Sequence, residues 1–362
     1  MDSRENNITS SQLMGLIVSI QIGTGILSLP ASLATACGHD GWISMLLYGT
    51  IITAVIFLII KLMNRYNNKS IYEINKLLYG KYLGGLLNLL IVLYLWYSAC
   101  LSLRGYTNVI HVDLLRSTPT LVLCIFTIMP TYYLTWYGLK YVTRFATMIY
   151  LSLSFCCILF LLVFSDLRFN FLLPIAQSGI EGIKASFSPC VYAFLGYEVI
   201  SVIYPEITNK KKAMRYAIGS NIITTIFCVI LLLVVTSFFG EEMLKESVFP
   251  TIALSRAYRA PIMERMDVLF IAIWLPAMAM TTRGYFCIAY YSINKLLNLK
   301  KKGIYLFVFT SITILLSNVP KSISNLNIYS NVMAISGTIF SIFLIICYLF
   351  SFIRKKGVNP HV

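Results

Sequence analysis

The stretch Gln21-Ile22-Gly23-Thr24-Gly25-Ile26-Leu27-Ser28-Leu29-Pro30 decides the fold. It sits inside a run from Asn6 to Gly38 that contains no charged residue. About 18–20 apolar residues cross the roughly 30 Å of hydrocarbon in a bilayer, so the run reads as a membrane crossing. Two glycines flanking a threonine weaken a helix where lipid offers no replacement hydrogen bonds, which makes sense where the backbone lines a cavity. Tight helix packing through small residues is the competing reading of Gly23-Thr24-Gly25 taken alone. A second interrupted segment, Ala193-Phe194-Leu195-Gly196-Tyr197-Glu198, favours the cavity.

The pattern repeats along the chain. Uncharged runs cover Gly41 to Ile60, Tyr82 to Leu103, Ser117 to Leu139, Phe145 to Ser165, Tyr216 to Gly240, Gly303 to Pro320 and Ser322 to Ile353. Two shorter runs, Ala185 to Tyr204 and Val268 to Ile293, are interrupted only by Glu198 and Arg283. Together they predict an all-α integral membrane protein with ten transmembrane helices, at about 10–34, 41–64, 83–112, 119–137, 142–165, 185–204, 215–239, 264–293, 303–318 and 328–353. Loops are short, so residues 1–362 form a single transmembrane domain, with a first repeat at about 10–165 and a second at about 185–353. Five crossings are an odd number, so the second half enters from the opposite side and the repeat is inverted. Breaks at matching places in two inverted halves, here in helices 1 and 6, point to a transporter-type binding site. Two connections read either as short amphipathic helices or as ordinary loops: Phe249 to Tyr258 over the outer mouth, and Asn64 to Lys81 in the inner headgroup region.

Composition supports the same class. Of 362 residues, 58% are hydrophobic and 12% charged, against about 25% charged in soluble domains. Aromatic content of 14% excludes disorder. The net charge of +15 follows topology: nineteen of the 29 Lys and Arg fall in loops on one side, which makes both termini cytoplasmic. Nucleic acid is therefore not an expected partner, whereas membrane lipid is. Most cysteines sit in apolar spans, Cys37 is placed in an outer loop, and the histidines are scattered in loops. No metal, cofactor or disulfide framework is expected. An enzyme would cluster polar catalytic groups at one interface; the spans hold a single acid and no histidine, so no catalytic residue is assigned.

At this point the motifs are recognisable. Gly23-Thr24-Gly25-Ile26-Leu27-Ser28-Leu29-Pro30 resembles the first-helix signature of the amino acid/polyamine/organocation transporter superfamily, and Phe194-Leu195-Gly196-Tyr197-Glu198 resembles its sixth-helix signature. The whole chain, including Thr9-Ser10-Ser11-Gln12-Leu13, is similar to the membrane-embedded B subunit of spore germinant receptors, a branch of that superfamily. The resemblance implies a LeuT-like five-plus-five fold and a small nutrient ligand, an amino acid or similar compound. It also implies A- and C-type receptor subunits as partners and the inner membrane of a bacterial spore as location. Triggering of germination by the bound nutrient is the function it implies; an amino-acid or amine permease is the alternative.

Residue by residue, a break near Gly23 leaves unpaired amides on the half-helix beginning at Gly25, a ready site for a carboxylate. Ile22, Gly23, Thr24, Gly25 and Ile26 are therefore assigned to the ligand, with Phe194, Leu195, Gly196, Tyr197 and Glu198 at the second break. Tyr97, Leu101 and Arg104 share a face of helix 3. Met278, Thr281, Thr282 and Tyr285 give helix 8 a partly polar face, and the resemblance places both helices beside the site. Arg104, Glu198 and Arg283 are charges within spans, which at about 2.5–3.5 kcal/mol or more apiece mark functional candidates. Glu198 is expected to gate the site or carry a proton, with an ion pair as the alternative. The superfamily puts hydroxyls such as those of Thr281 and Thr282 near a sodium site, so Arg283 either replaces that ion or makes an interhelical ion pair or hydrogen bonds to carbonyls. Arg104 is expected to extend outward. Helix 5 carries no lysine, a departure from some proton-coupled relatives that favours sensing over pumping.

Overall fold

The computed structural model describes residues 6–162, 164–257, 266–299, 302–320 and 323–354. The first two helices are one interrupted crossing, α1 (Ser10–Gln21) and α2 (Thr24–Cys37). A capping box starts α1: Thr9 Oγ1 accepts from the Gln12 amide at 3.2 Å and the Gln12 side chain accepts from the Thr9 amide at 2.9 Å. Then follow α3 (Gly41–Arg65), α4 (Ile71–Asp113), α5 (Thr120–Tyr137) and α6 (Leu139–Leu162). The second half holds α7 (Gly179–Ala185), α8 (Phe187–Phe194), α9 (Ile200–Ile203), α10 (Lys210–Glu246), α11 (Pro250–Ala257), α12 (Met266–Leu297), α13 (Lys302–Ser317) and α14 (Ile323–Arg354).

Among the described residues, six helical segments are long and apolar enough to cross a membrane, α2 and α3 being counted together as Thr24–Arg65. The pair Phe187–Phe194 and Tyr197–Glu206, bent by 47°, makes a seventh crossing if it is taken as one span. Each of the ten expected segments contains helix. The differences lie at the connections. Residues 71–79, open between helix and loop in the sequence, form the first turns of α4, started by the Ser70/Glu73 capping box and set off from the rest by Gly80 at φ 81°. The segment 166–184, read as loop between two crossings, and its edges hold two short 3-10 turns, Phe164–Asp166 and Phe169–Leu172, and α7. The carboxylate of Asp40 fixes them, accepting from the amides of Ala176 and Ser178 at 2.8 Å each. Cys37, placed by sequence in an outer loop, instead ends α2 and is buried, because the helix runs to Gly38. The short outer helix is α11; Tyr258 lies outside the described residues, as do Glu264 and Arg265 at the expected start of helix 8.

Packing explains which faces are polar. Leu89, Phe126, Leu151, Phe307 and Leu349 lie exposed, as suits side chains against lipid. The interior carries hydroxyls and amides that bond back to backbone, such as Ser19 to Ala146 O at 2.9 Å and Asn221 to Gly49 O at 2.8 Å. At one end of the bundle Ile8 and Ile207 form an isolated parallel bridge, with Ile8 N donating to Glu206 O at 3.0 Å and Thr208 N to Ile8 O at 2.9 Å. Tyr204 donates to Asn64 Oδ1 there at 2.6 Å, closing that end.

Candidate ligand site between two broken helices

The breaks face each other. Gly196 takes φ 129°, which only glycine adopts freely, and a Cβ there would meet Ile20 of α1 at 2.7 Å. Gln21, the last residue of α1, spans the gap: its Nε2 donates to Phe194 O at 2.7 Å, and its Oε1 accepts from Thr224 Oγ1 of α10 at 2.7 Å. The carbonyl left over at the end of α8 is thereby satisfied by the other broken helix. On the far side, Thr281 Oγ1 donates to Ile20 O at 2.9 Å. Gly23 allows this approach, since a Cβ on it would lie 1.8 Å from that hydroxyl. Gly23 offers no side-chain cap to α2, so the first amides of α2 stay available.

Two spaces meet at this point. A vestibule of about 280 Å3 opens above the break, walled by Ser28, Ser32 and Thr35 of α2, Leu101, Gly105 and Asn108 of α4, and Asn327 and Ser330 of α14. Lys245 is the one charged residue on its wall among the described residues. Beneath lies an inner pocket of about 20 Å3, bounded by Ile20, Gln21, Ser102, Leu195, Thr281, Tyr285 and Met333. Thr24, Gly25 and Tyr192 border both. The Tyr192 ring forms the partition, packed so closely on Gly25 that a Cβ would come within 2.8 Å of it.

Glu198 lies fully buried just past the second break. Its Oε1 accepts from the hydroxyls of Tyr94 and Tyr285 at 2.8 Å each, and its Oε2 accepts from the Gly196 amide at 2.7 Å. The carboxylate is thus held by neutral donors, and the interhelical ion pair weighed for it is absent among the described residues. The remaining sequence-assigned residues spread more widely. Thr24 and Gly25 border both spaces, Leu195 borders the inner pocket, and Leu101 the vestibule. Tyr97 donates to Tyr329 O at 2.8 Å and lines a separate apolar crevice against α13 and α14. Ile22 borders a groove between α6 and α10. Ile26, Phe194, Met278 and Thr282 are buried, and Tyr197 bonds Ser341.

Two charges differ from expectation. Arg104 is 6% exposed and does not extend to the surface, because the neighbouring helices enclose it. The group that meets the carbonyl at the α1 break is Thr281, whereas the guanidinium of Arg283 lies over the Phe145 ring of α6 at 5.1 Å. No interhelical ion pair forms at Arg283 among the described residues. Sequence reasoning assigned no role to Gln21 or Tyr192. Gln21 had one signal, an amide inside an apolar run, while nothing distinguished Tyr192 from a core aromatic.

A polar cluster ties the vestibule rim together. His39 Nδ1 meets Glu241 Oε2 at 3.2 Å, His39 Nε2 donates to Pro174 O at 2.7 Å, and Lys245 pairs with Glu241 at 2.7 Å. Burial opposes the His39 imidazolium, but the Pro174 carbonyl and the Glu241 carboxylate outweigh it and raise its pKa above 6.5. Burial likewise opposes the Glu241 carboxylate, and Lys245 and His39 overcome it, holding its pKa below 4.5.

Facing helix breaks over a buried carboxylate, within a shell of lipid-facing helices, define a multi-pass membrane protein with a LeuT-like fold. A manganese transporter of Eremococcus coleocola has a similar fold, with TM-score 0.66 over 94% of this chain and 78% of that one at 13% identity. A Na+-coupled sialic acid symporter, solved substrate-bound and outward-open, gives 0.62 over 92% and 75% at 12% identity. Residues 7–326 match the Spore_permease family, described as spore germination protein, and the chain belongs to that family. Spore germination protein GerQB of Bacillus cereus is 28% identical over 286 residues, 77% of this chain and 79% of the relative. Spore germination protein B2 of Bacillus subtilis (strain 168) is 26% identical over 98% of both.

Proposed function

We propose that the chain is the nutrient-binding membrane subunit of a spore germinant receptor, working with A- and C-type subunits in the spore inner membrane. The vestibule end faces outward and both termini face the spore interior, following the distribution of basic residues. The observation that carries the reading is the Gln21 bridge from one helix break to the other beneath the Thr24–Gly25 floor of the vestibule. A nutrient carboxylate settles on the free amides at the start of α2, and the rest of the molecule displaces Tyr192 toward the inner pocket. A ligand biases two conformations only through its differential affinity for them, typically a coupling of about 1–3 kcal/mol. The partner subunits read the change. Glu198, the acid within the spans, is held by two tyrosine hydroxyls and the Gly196 amide, and no lysine follows Lys140 at the very start of α6, which supports sensing over pumping. Spores carrying Gly25→Leu should lose the response to one nutrient while germinating normally with non-nutrient triggers. Undiminished nutrient sensing in that variant overturns the proposal, as does accumulation of labelled nutrient against its gradient by the reconstituted protein.

A further inference from the structure

Arg283 stands near the middle of α12 and is nine-tenths buried. Thr281, two residues earlier, faces α1; a step of about 200° around the helix turns Arg283 toward α6 instead. There its guanidinium rests on the Phe145 ring, and Tyr106 of α4 lies within range of its charge. Neither Nε nor Nη1 has an acceptor among the described residues, and both are shut off from solvent. No Asp or Glu among the described residues pairs with it. Glu198, the buried acid of the spans, is committed to Tyr94, Tyr285 and the Gly196 amide.

A lysine in this position would relieve the burial by releasing a proton, but a guanidinium keeps its charge. An aromatic face offsets part of the lost hydration and supplies no acceptor for the N–H groups. A buried charge is stable when paired and hydrogen-bonded. One positive charge with unfilled donors therefore calls for one negative charge with lone pairs, from outside the chain. We propose that Arg283 binds a small monovalent anion, a halide or a short carboxylate, where α4, α6 and α12 meet. This anion site is separate from the start of α2, where the nutrient is placed, and it stands whether the protein senses or transports.

The test uses purified full-length protein in detergent at fixed sodium and ionic strength, with gluconate replaced stepwise by chloride, bromide, formate or acetate. Wild type should show a saturable rise of a few degrees in unfolding temperature with a small anion, since a ligand that binds only the folded state stabilises it by mass action. Arg283→Gln should abolish the rise. A response to halides alone assigns an inorganic ion, and a response to formate and acetate alone assigns an organic carboxylate. An unfolding temperature indifferent to all four anions overturns the proposal, as does a rise retained in full by Arg283→Gln. If that variant fails to fold, Arg283→Lys decides: its amine lacks the planar fork and can shed its proton when buried, so its rise should need several-fold more anion. An Arg283→Lys curve superimposable on wild type overturns the site.

Discussion

The side chain of Gln21 donates to the carbonyl of Phe194 at 2.7 Å, so the end of one broken helix is capped by the end of the other. Any movement of α1 relative to α8 must lengthen this bond or carry both helices together. Gln21→Leu leaves Phe194 O and Thr224 Oγ1 without their partner in a buried place, a cost of about 1–3 kcal/mol. The expected outcome is a lowered unfolding temperature and a loss of nutrient response in spores. Unchanged values in both assays would refute the link.

Glu198 presents acceptors to three donors. Glu198→Gln turns one acceptor into an NH2 group, which must face the Gly196 amide or a tyrosine hydroxyl. A loss of about 1–3 kcal/mol follows from the mismatched donor. Tyr94→Phe and Tyr285→Phe each remove one charge-assisted bond, about 1.5–3 kcal/mol. Denaturation of the four proteins side by side checks the ranking against wild type.

A methyl group at Gly23 would fall on the Thr281 hydroxyl. Gly23→Ala should therefore destabilise the α1 break, and Thr281→Ala in the same chain should restore part of the loss by making room. The double mutant should be more stable than the sum of the single effects, the mark of a direct contact. Additive losses would show that the two residues do not meet.

The His39–Glu241 contact fixes a pH window. His39 has a raised pKa, so its share of stability is complete below 6.5 and fades as pH climbs through the raised value. Glu241 has a lowered pKa, so its share is complete above 4.5 and fades as pH falls through the lowered value. The gap in unfolding temperature between wild type and His39→Gln should thus be widest between pH 4.5 and 6.5 and shrink on the alkaline side. A gap that grows above that range contradicts the assignment.

Much of the fold was legible because hydrocarbon imposes a simple rule: charge-free runs of sufficient length become helices, and glycines inside them become breaks. The structured segment between the fifth and sixth expected crossings, 166–184, was not, since it depends on Asp40 reaching amides far along the chain. At the site, sequence singled out Glu198 and Arg283 by their charge, yet spacing along a helix does not say which neighbour a residue meets. Arg283 reaches Phe145, and Thr281 reaches the α1 carbonyl. Gln21 and Tyr192 carry no net charge, so nothing but their position in space distinguishes them.

Beside the Tyr204–Asn64 bond, the closed end of the bundle is held through main-chain atoms, Ile8 N to Glu206 O and Thr208 N to Ile8 O. Such bonds ask nothing of the side chains except that positions 8 and 208 not be proline, which has no N–H to give. At these two positions the bonds thus tolerate any residue with an N–H, and it is the burial of Ile8 in the core, rather than the bonding, that limits which side chains can follow as the opposite end of the molecule diversifies.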